Sequence, residues 1–269
     1  MTTLLAMGRV LPASLGGRRA LLVIERNIVI YRNQWLMILS GFFEPLFYLL
    51  SIGLGIGGLV GDVTGPGGEP IPYALFVAPA LLATASMNGA VTESTFNVFF
   101  KLNYEKTYDA ILATPLAPGD VALGEIGWAL IRSTMYALGF LVVIVILGLV
   151  RSPWALLAVP AATLLAFAFA SVGMAATTWM RSWQDFDLVN LVVLPLFLFS
   201  GTFFPISAYP EGLQGIVMLT PLWQGTDLIR SLVIGTVDPS TLWHVAYLGA
   251  MGLTGLAVVG RRLDRMLLK

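Results

Sequence analysis

Ionisable side chains interrupt the apolar stretches of this sequence and are its first candidates for chemistry. They are Glu44, Glu93, Glu125 and Arg132. A charged group in the core of a bilayer costs about 2.5–3.5 kcal/mol on insertion scales, so such groups pair with one another or serve a transport path. Two interpretations remain open. The four form a buried charge network that holds helices together, with Glu93 against Arg132, or they form a polar site that a substrate contacts.

Catalytic motifs do not accompany these charges. None of the three lysines stands in a GxxxxGK[ST] pattern, and HExxH and GxSxG are also absent. The chain has no cysteine and one histidine, His244, which we predict to be a polar residue at the edge of a span. We therefore expect no catalytic residue, no metal site and no cofactor in this chain.

The composition indicates a membrane protein. Of 269 residues, 57% are hydrophobic and 11% are charged, whereas soluble domains carry about 25% charged residues. A spanning helix needs about 20 apolar residues, and six segments reach about that length. The sequence thus predicts an all-α polytopic membrane protein with six transmembrane helices. The predicted spans cover residues 35–59, 73–100, 121–150, 154–180, 188–204 and 242–260.

The distribution of basic residues predicts the orientation. With the N-terminus inside, twelve of the fifteen Lys and Arg residues face the cytoplasm, as the positive-inside rule requires. Both termini are then cytoplasmic. We predict a cytoplasmic N-terminal segment (1–34), one transmembrane domain (35–260) and a basic cytoplasmic tail (261–269). Basic and acidic residues are equal in number, so nothing recruits a nucleic acid.

The N-terminal segment contains a predicted amphipathic helix over residues 17–33. Apolar residues recur at helical spacing, and charged residues form two adjacent rows. The rows contain Arg18, Glu25 and Arg32, and Arg19 and Arg26. Such a helix lies in the membrane interface against lipid headgroups. It serves either as a surface anchor or as a docking element for a partner.

The loop over residues 101–118 contains a second predicted helix, from 104 to 113, which Pro115 ends. Its exposed face is predicted to carry four residues. They are Tyr104, Lys106, Tyr108 and Asp109. This face suits contact with another protein, and the alternative is an ordinary polar connector.

The segment over residues 205–235 is too apolar for a free outer loop, yet its prolines cut it into pieces too short to cross. We predict two short helices, 210–219 and 222–234, in the outer leaflet. Asp227 and Arg230 are three residues apart and are predicted to pair. The segment is either an outer gate or a passive brace. The predicted gate residues are Phe203, Phe204, Glu211, Trp223, Asp227 and Arg230.

Seven motifs, in this order and spacing, resemble the permease subunits of ABC-2 type exporters, over nearly the whole chain. The branch that contains nodulation lipo-oligosaccharide exporters and daunorubicin-type drug exporters is the most similar. The motifs are FVAPALL (76–82), MNG (87–89), EST (93–95), YEKTYDAILATP (104–115), LGEI (123–126), PLFLFSGTFFP (195–205) and TPL (220–222).

The resemblance implies a division of labour. Two permeases pair, as a homodimer or with a sister subunit, in the inner membrane of a bacterium and in contact with lipid. Two separate cytoplasmic ATPase subunits bind ATP and Mg²⁺ beneath them. The loop helix over 104–113 would be the coupling helix that contacts an ATPase. The first and fifth spans would move at the dimer interface.

Three functions follow from these patterns. The first is export of an amphipathic molecule, a glycolipid or a hydrophobic drug, driven by the partner ATPase. The second is proton-coupled secondary transport through Glu44 and Glu93, although the sequence has no inverted pair of broken helices. The third is an intramembrane enzyme, for which no pair of nucleophile and base is evident.

Overall fold

The computed structural model describes residues 17–32 and 43–267, which form ten main helices and a small β-hairpin. The hairpin pairs β1 (Asp62–Thr64) with β2 (Pro70–Pro72) in antiparallel register. The helices are α1 (Gly17–Tyr31), α2 (Phe43–Val60), α3 (Tyr73–Asn103), α4 (Thr107–Leu112), α5 (Pro118–Ile146), α6 (Pro153–Thr177), α7 (Phe186–Phe199), α8 (Glu211–Met218), α9 (Pro221–Ile234) and α10 (Ser240–Leu267).

Five helices of the described chain are long and apolar enough to cross a membrane, namely α2, α3, α5, α6 and α10. The predicted span over 188–204 corresponds to α7, which has 14 residues. It ends early because the chain turns at Gly201, whose φ of +67° lies in the left-handed region. A sixth span therefore remains a prediction.

Helix α3 is the centre of the bundle and packs against α5, α6 and α9. In its most apolar stretch, 83% of the residues are buried. Farther from the centre of the bundle, α10 packs closely on α6. A Cβ atom at Gly255 would lie 2.8 Å from the backbone of Ser171, so only glycine permits this approach.

Local sequence signals begin and end these helices. Pro118 occupies the first turn of α5, and Asp120 Oδ2 accepts the Ala117 N–H at 3.0 Å. Thr220 Oγ1 accepts the Trp223 N–H at the start of α9, at 3.3 Å. Helix α10 continues to Leu267 without a break at 260, so the predicted tail is largely an extension of the last span.

The two ends of the bundle carry different elements. Helix α3 has 31 residues, which span about 46 Å at a rise of about 1.5 Å per residue. Its first turn contacts the hairpin and α9, and its last turn leads into α4. We call these the α9 end and the α4 end.

Candidate functional site

Glu93 and Arg132 form an ion pair between α3 and α5, as predicted. Arg132 Nη1 contacts Glu93 Oε1, and the two side chains are 11% and 2% exposed. Each member of the pair also forms a hydrogen bond with a residue four positions further along its own helix. Asn97 Nδ2 donates to Glu93 Oε2 at 2.7 Å, and Arg132 Nε donates to the Tyr136 hydroxyl at 2.8 Å. The cluster is thus neutral overall and satisfied within the subunit.

A π-helical segment of α3, Glu93–Asn97, presents this glutamate. Such a segment interrupts the regular helical hydrogen bonds and leaves carbonyls available. One of them, Ser94 O, accepts the Thr177 hydroxyl of α6 at 3.0 Å. The segment is therefore held by a neighbouring helix.

A second ion pair lies nearer the α4 end, and the sequence analysis did not find it. Lys101 Nζ of α3 lies 2.8 Å from Glu125 Oε2 of α5. Asn27 of α1 completes a triangle. Its amide donates to the same Glu125 oxygen at 3.0 Å, and its carbonyl accepts from Lys101 at 3.2 Å. We call these three side chains the Lys101 cluster; all are buried.

The predicted single network of four charges is therefore wrong. Glu125 pairs with Lys101 rather than Arg132, because Lys101 and Asn27 reach it at the level of the α4 end. Glu44 is exposed on the surface of α2 and joins neither pair. Depth along a helix indicated which charges share a level, but not which helix faces they occupy.

The predicted loop helix over 104–113 is shorter in the structure, because α4 covers only Thr107–Leu112 and Tyr104 and Lys106 precede it. Tyr104, Lys106 and Asp109 are exposed, as predicted. Tyr108 is only 1% exposed, so its predicted exposure is wrong. Burial raises the pKa of the Tyr108 phenol well above its usual value, and the neighbouring Glu125 carboxylate raises it further. Lys106 adopts a φ of +53° at the start of α4, which is a strained conformation for a lysine.

The amphipathic helix α1 packs on α5 through Ala20, Val23 and Asn27. Its charged residues Glu25 and Arg32 are exposed, and Arg26 is half-buried. Arg19 is exposed and donates to the Pro115 carbonyl in the loop after α4. The predicted contribution of the Arg18 side chain lies outside the described part of the chain. The remaining face of α1 exposes apolar residues. They are Leu21, Leu22, Ile28, Val29 and Ile30.

At the α9 end, Arg230 is buried rather than directed toward solvent. Its guanidinium lies 3.9 Å from the centre of the Phe76 ring. Nε donates to the Phe76 carbonyl at 3.2 Å, and Nη2 donates to the Gly201 carbonyl at 2.7 Å. The predicted pair of Arg230 with Asp227 is wrong, because these carbonyls and the ring satisfy the cation from other helices.

Asp227 instead pairs with His244 of α10, with 3.3 Å between Oδ2 and Nε2. Nδ1 of His244 contacts the Gln224 side chain. This histidine lies in the second turn of α10, near the end of the span as predicted, but it is only 3% exposed and links α10 to α9. Both partners lie on α9 and come within reach only because α9 folds back onto α10.

The other predicted gate residues do not form one group. Phe203 is buried, whereas Phe204 and Glu211 are exposed. Trp223 is half-buried, and its ring centre lies 5.7 Å from that of His244. The gate prediction as a whole stays untested.

A cavity of about 770 Å³ separates α7 from α3 and α6, and its walls are almost entirely apolar. A smaller adjoining cavity of about 370 Å³ is more polar and is lined by Thr92, Trp183, Gln184, Asp187 and Asn190, among others. Both cavities include Val91, Thr95 and Val189. The two cavities therefore lie side by side, one apolar and the other more polar.

Within residues 17–32 and 43–267, no group of three His, Cys, Asp or Glu side chains could hold a metal ion. Apolar spanning helices, two internal ion pairs and a groove of mixed polarity define a polytopic membrane transport protein. A family profile described as "ABC-2 type transporter" matches residues 19–234. The chain therefore belongs to the ABC-2 type transporter family, whose members are membrane components of transporters.

Individual relatives agree with this assignment. Nodulation protein J of Rhizobium leguminosarum bv. viciae is 32% identical over 261 residues, which cover 95% of this chain and 98% of the relative. Nodulation protein J of Rhizobium meliloti is 32% identical over 244 residues, or 90% and 89% of the two chains. The inner membrane transport permease YadH of Escherichia coli is 26% identical over 182 residues, or 65% and 66%.

Proposed function

We propose that this chain is the permease subunit of an exporter that moves an amphipathic substrate out across a bacterial inner membrane. Two separate ATPase subunits bind ATP and Mg²⁺ and drive it. The main supporting observation is the loop between α3 and α5, in which Tyr104, Lys106 and Asp109 are exposed while Tyr108 is buried, in a chain without a P-loop. The α4 end is cytoplasmic in this proposal, and Tyr104, Lys106 and Asp109 contact the ATPase.

In this proposal, α7 and the 3₁₀ turn before it, Trp183–Asp185, together form a sixth membrane span. Fourteen α-helical and three 3₁₀ residues rise about 27 Å. That is close to the hydrocarbon thickness of about 30 Å. With this span, both termini are cytoplasmic, α1 lies in the inner interface, and α8 and α9 lie in the outer leaflet.

A second permease copy, or a sister subunit, covers α2 and α7 in this proposal. Helix α7 buries none of its residues within the subunit, although most of them are apolar. Glu44 is exposed on α2, and its side chain forms no ion pair with another described residue. A lipid-facing carboxylate would be costly, which favours a protein or substrate contact there.

The substrate of the proposal is a molecule with an apolar chain and a polar head. The larger cavity suits the chain, and the smaller one offers amide, carboxylate and indole groups to a hydroxyl-rich head. A glycolipid uses both parts, whereas a hydrophobic drug uses only the first. The relatives named nodulation protein J are consistent with either substrate under this proposal.

Proteoliposomes that contain the chain and its ATPase test the proposal. The probe is a nitrobenzoxadiazole-labelled glucosyl lipid, and the readouts are ATP hydrolysis and ATP-dependent probe movement. We expect Tyr104→Ala/Asp109→Lys to lose ATPase association and probe movement. The matched control is Glu69→Lys, an exposed charge change in the hairpin at the opposite end, which should keep both. ATP-independent probe movement that an uncoupler abolishes would overturn the proposal.

That last outcome would favour the proton-coupled alternative through Glu44 and Glu93. The geometry gives it little support, because a proton relay needs a carboxylate that can exchange its proton along a path. Glu93 is 2% exposed and is bound by Arg132 and Asn97.

A further inference from the structure

The Lys101 cluster joins three helices that are distant in sequence. Lys101 belongs to α3, Glu125 to α5 and Asn27 to α1, and the three contacts measure 2.8, 3.0 and 3.2 Å. The exposed fractions of these residues are 7%, 4% and 0%. Each side chain contacts both of the others, so none of the three helices can shift without breaking two of the three contacts.

Helix α4 contacts this cluster from the side of the loop. Its residue Tyr108 lies near the Glu125 carboxylate, and burial and this carboxylate both raise the pKa of the Tyr108 phenol. Tyr108 Oη and Glu125 Oε1 are both buried, and neither has a hydrogen-bond partner among the described residues. A donor and an acceptor are thus available to each other between α4 and α5. Arg19 provides a second link, because it connects α1 to the Pro115 carbonyl.

Stability alone does not account for buried ions at this position. Well-packed apolar side chains of similar volume often hold a buried site as firmly as an ion pair or more firmly. Apolar contacts can also slide, since they have no preferred direction. Hydrogen-bonded ions instead fix direction and distance together. The cluster thus makes the ends of α1, α3 and α5 move as one unit with Tyr108.

We infer that Lys101, Glu125 and Asn27 are positioning residues that transmit displacement of α4 to the membrane helices. The inference rests on the proposed function, because it takes α4 as the ATPase contact. Force on the exposed face of α4 passes through Tyr108 to Glu125. From there Lys101 carries it into α3, whose π-helical segment lines both cavities through Thr95.

The test separates transmission from stability. The triple variant Asn27→Leu/Lys101→Met/Glu125→Met removes all three polar groups together and strands no charge. Its melting midpoint should stay within about 5 °C of wild type. The single variant Lys101→Met leaves the buried Glu125 carboxylate without its cation, and the melting midpoint of this variant should fall by roughly 10 °C. The matched control Lys101→Glu/Glu125→Lys exchanges the signs and keeps the pair beside an amide that both donates and accepts.

The decisive readout is the number of glucosyl-lipid probe molecules moved per ATP hydrolysed, in proteoliposomes with the partner ATPase. We expect the triple variant to assemble and hydrolyse ATP but to lose probe movement, and the sign-exchanged control to retain most of it. If the triple variant does not assemble, Asn27→Leu is used instead. It leaves the ion pair intact and should lower the ratio by detaching α1.

A wild-type ratio in every variant that assembles would overturn the inference while leaving the exporter proposal intact. A wild-type complex that moves no probe with ATP would instead overturn the exporter proposal, and the inference with it.

Discussion

The guanidinium of Arg230 stacks on the Phe76 ring at 3.9 Å and donates to the carbonyls of Phe76 and Gly201. One side chain of α9 therefore binds both the first turn of α3 and the turn that follows α7. This arrangement favours a brace for α9. The same cannot be said of α8, in which only Val217 is buried.

Replacing Arg230 with lysine should destabilise the protein although the charge is kept. An ammonium group cannot stack in a plane or reach both carbonyls with a rigid fork. We expect a loss of about 1–3 kcal/mol, or roughly 2–12 °C in the melting midpoint. Differential scanning fluorimetry of the detergent-solubilised protein measures it. Glu211→Gln, an exposed change on α8, is the control, and equal midpoints for both variants would contradict the brace.

The pair of Glu93 and Arg132 should show strong coupling in a thermal-stability cycle. Glu93→Gln or Arg132→Met alone leaves one charge buried without its partner, which costs about 3–5 kcal/mol. The double variant strands no charge and should lose less than the sum of the two, by about 0.5–3 kcal/mol. Additive losses would mean that the two charges are stabilised independently.

Tyr108 and Asp109 are neighbours in α4 but should respond differently to alanine. Tyr108 is buried, so Tyr108→Ala opens a cavity and should cost about 3–5 kcal/mol, a value typical of large aromatic truncations. Asp109 is exposed, so Asp109→Ala should leave the melting midpoint unchanged and weaken only ATPase association. Midpoints and co-purification of the ATPase check the two effects separately. A destabilised Asp109→Ala variant would argue against a free docking face.

Gly124 sets the distance between α1 and α5. A Cβ at this position would lie 2.5 Å from Val23 Cβ and 3.0 Å from the Ala20 carbonyl, so Gly124→Ala should push α1 away. We expect a loss of about 1–3 kcal/mol and partial recovery when Val23→Gly also removes the Val23 Cβ atom. Gly212→Ala is the control, because that glycine faces open space. Loss without recovery would place the cause elsewhere in α5.

Single cysteines at Leu213 and Trp223 should distinguish a moving α8 from a fixed α9. The chain has no native cysteine, so each variant carries one reactive site. With ATP turnover trapped by vanadate, we expect maleimide labelling from outside to change at Leu213 and to stay constant at Trp223. A change at both positions would support an outer gate formed by both helices, and no change would leave the whole segment as a brace.

The ion pair of α3 and α5 was predictable because two opposite charges lay at one depth in two apolar segments. Lys101 was not, because it directly follows an apolar segment, where a basic residue indicates orientation rather than a buried ion pair. The predicted pair of Asp227 and Arg230 rested on spacing along one helix. The fold overrode that spacing, because the partners of both residues come from other elements, His244 and the carbonyls of Phe76 and Gly201.

The helices themselves followed from composition and prolines, including α4, α8 and α9. The sequence did not indicate which side of a short helix is buried. Tyr108 and Asp109 are adjacent and both polar, so periodicity in a six-residue helix does not say which one points inward. The cavities could not be predicted either, because their walls come from helices that meet only in the folded chain.

The π-helical segment Glu93–Asn97 sets how the part of α3 after it is rotated relative to the part before it. It lies between Glu93 and Lys101, whose partners Arg132 and Glu125 are both on α5. Removing one residue from the segment would turn everything beyond it by about 100° relative to everything before it. The two ion pairs could then no longer both meet α5. The irregular turn thus acts as a fixed rotational offset that keeps the middle of α3 and its α4 end aligned with the same neighbour.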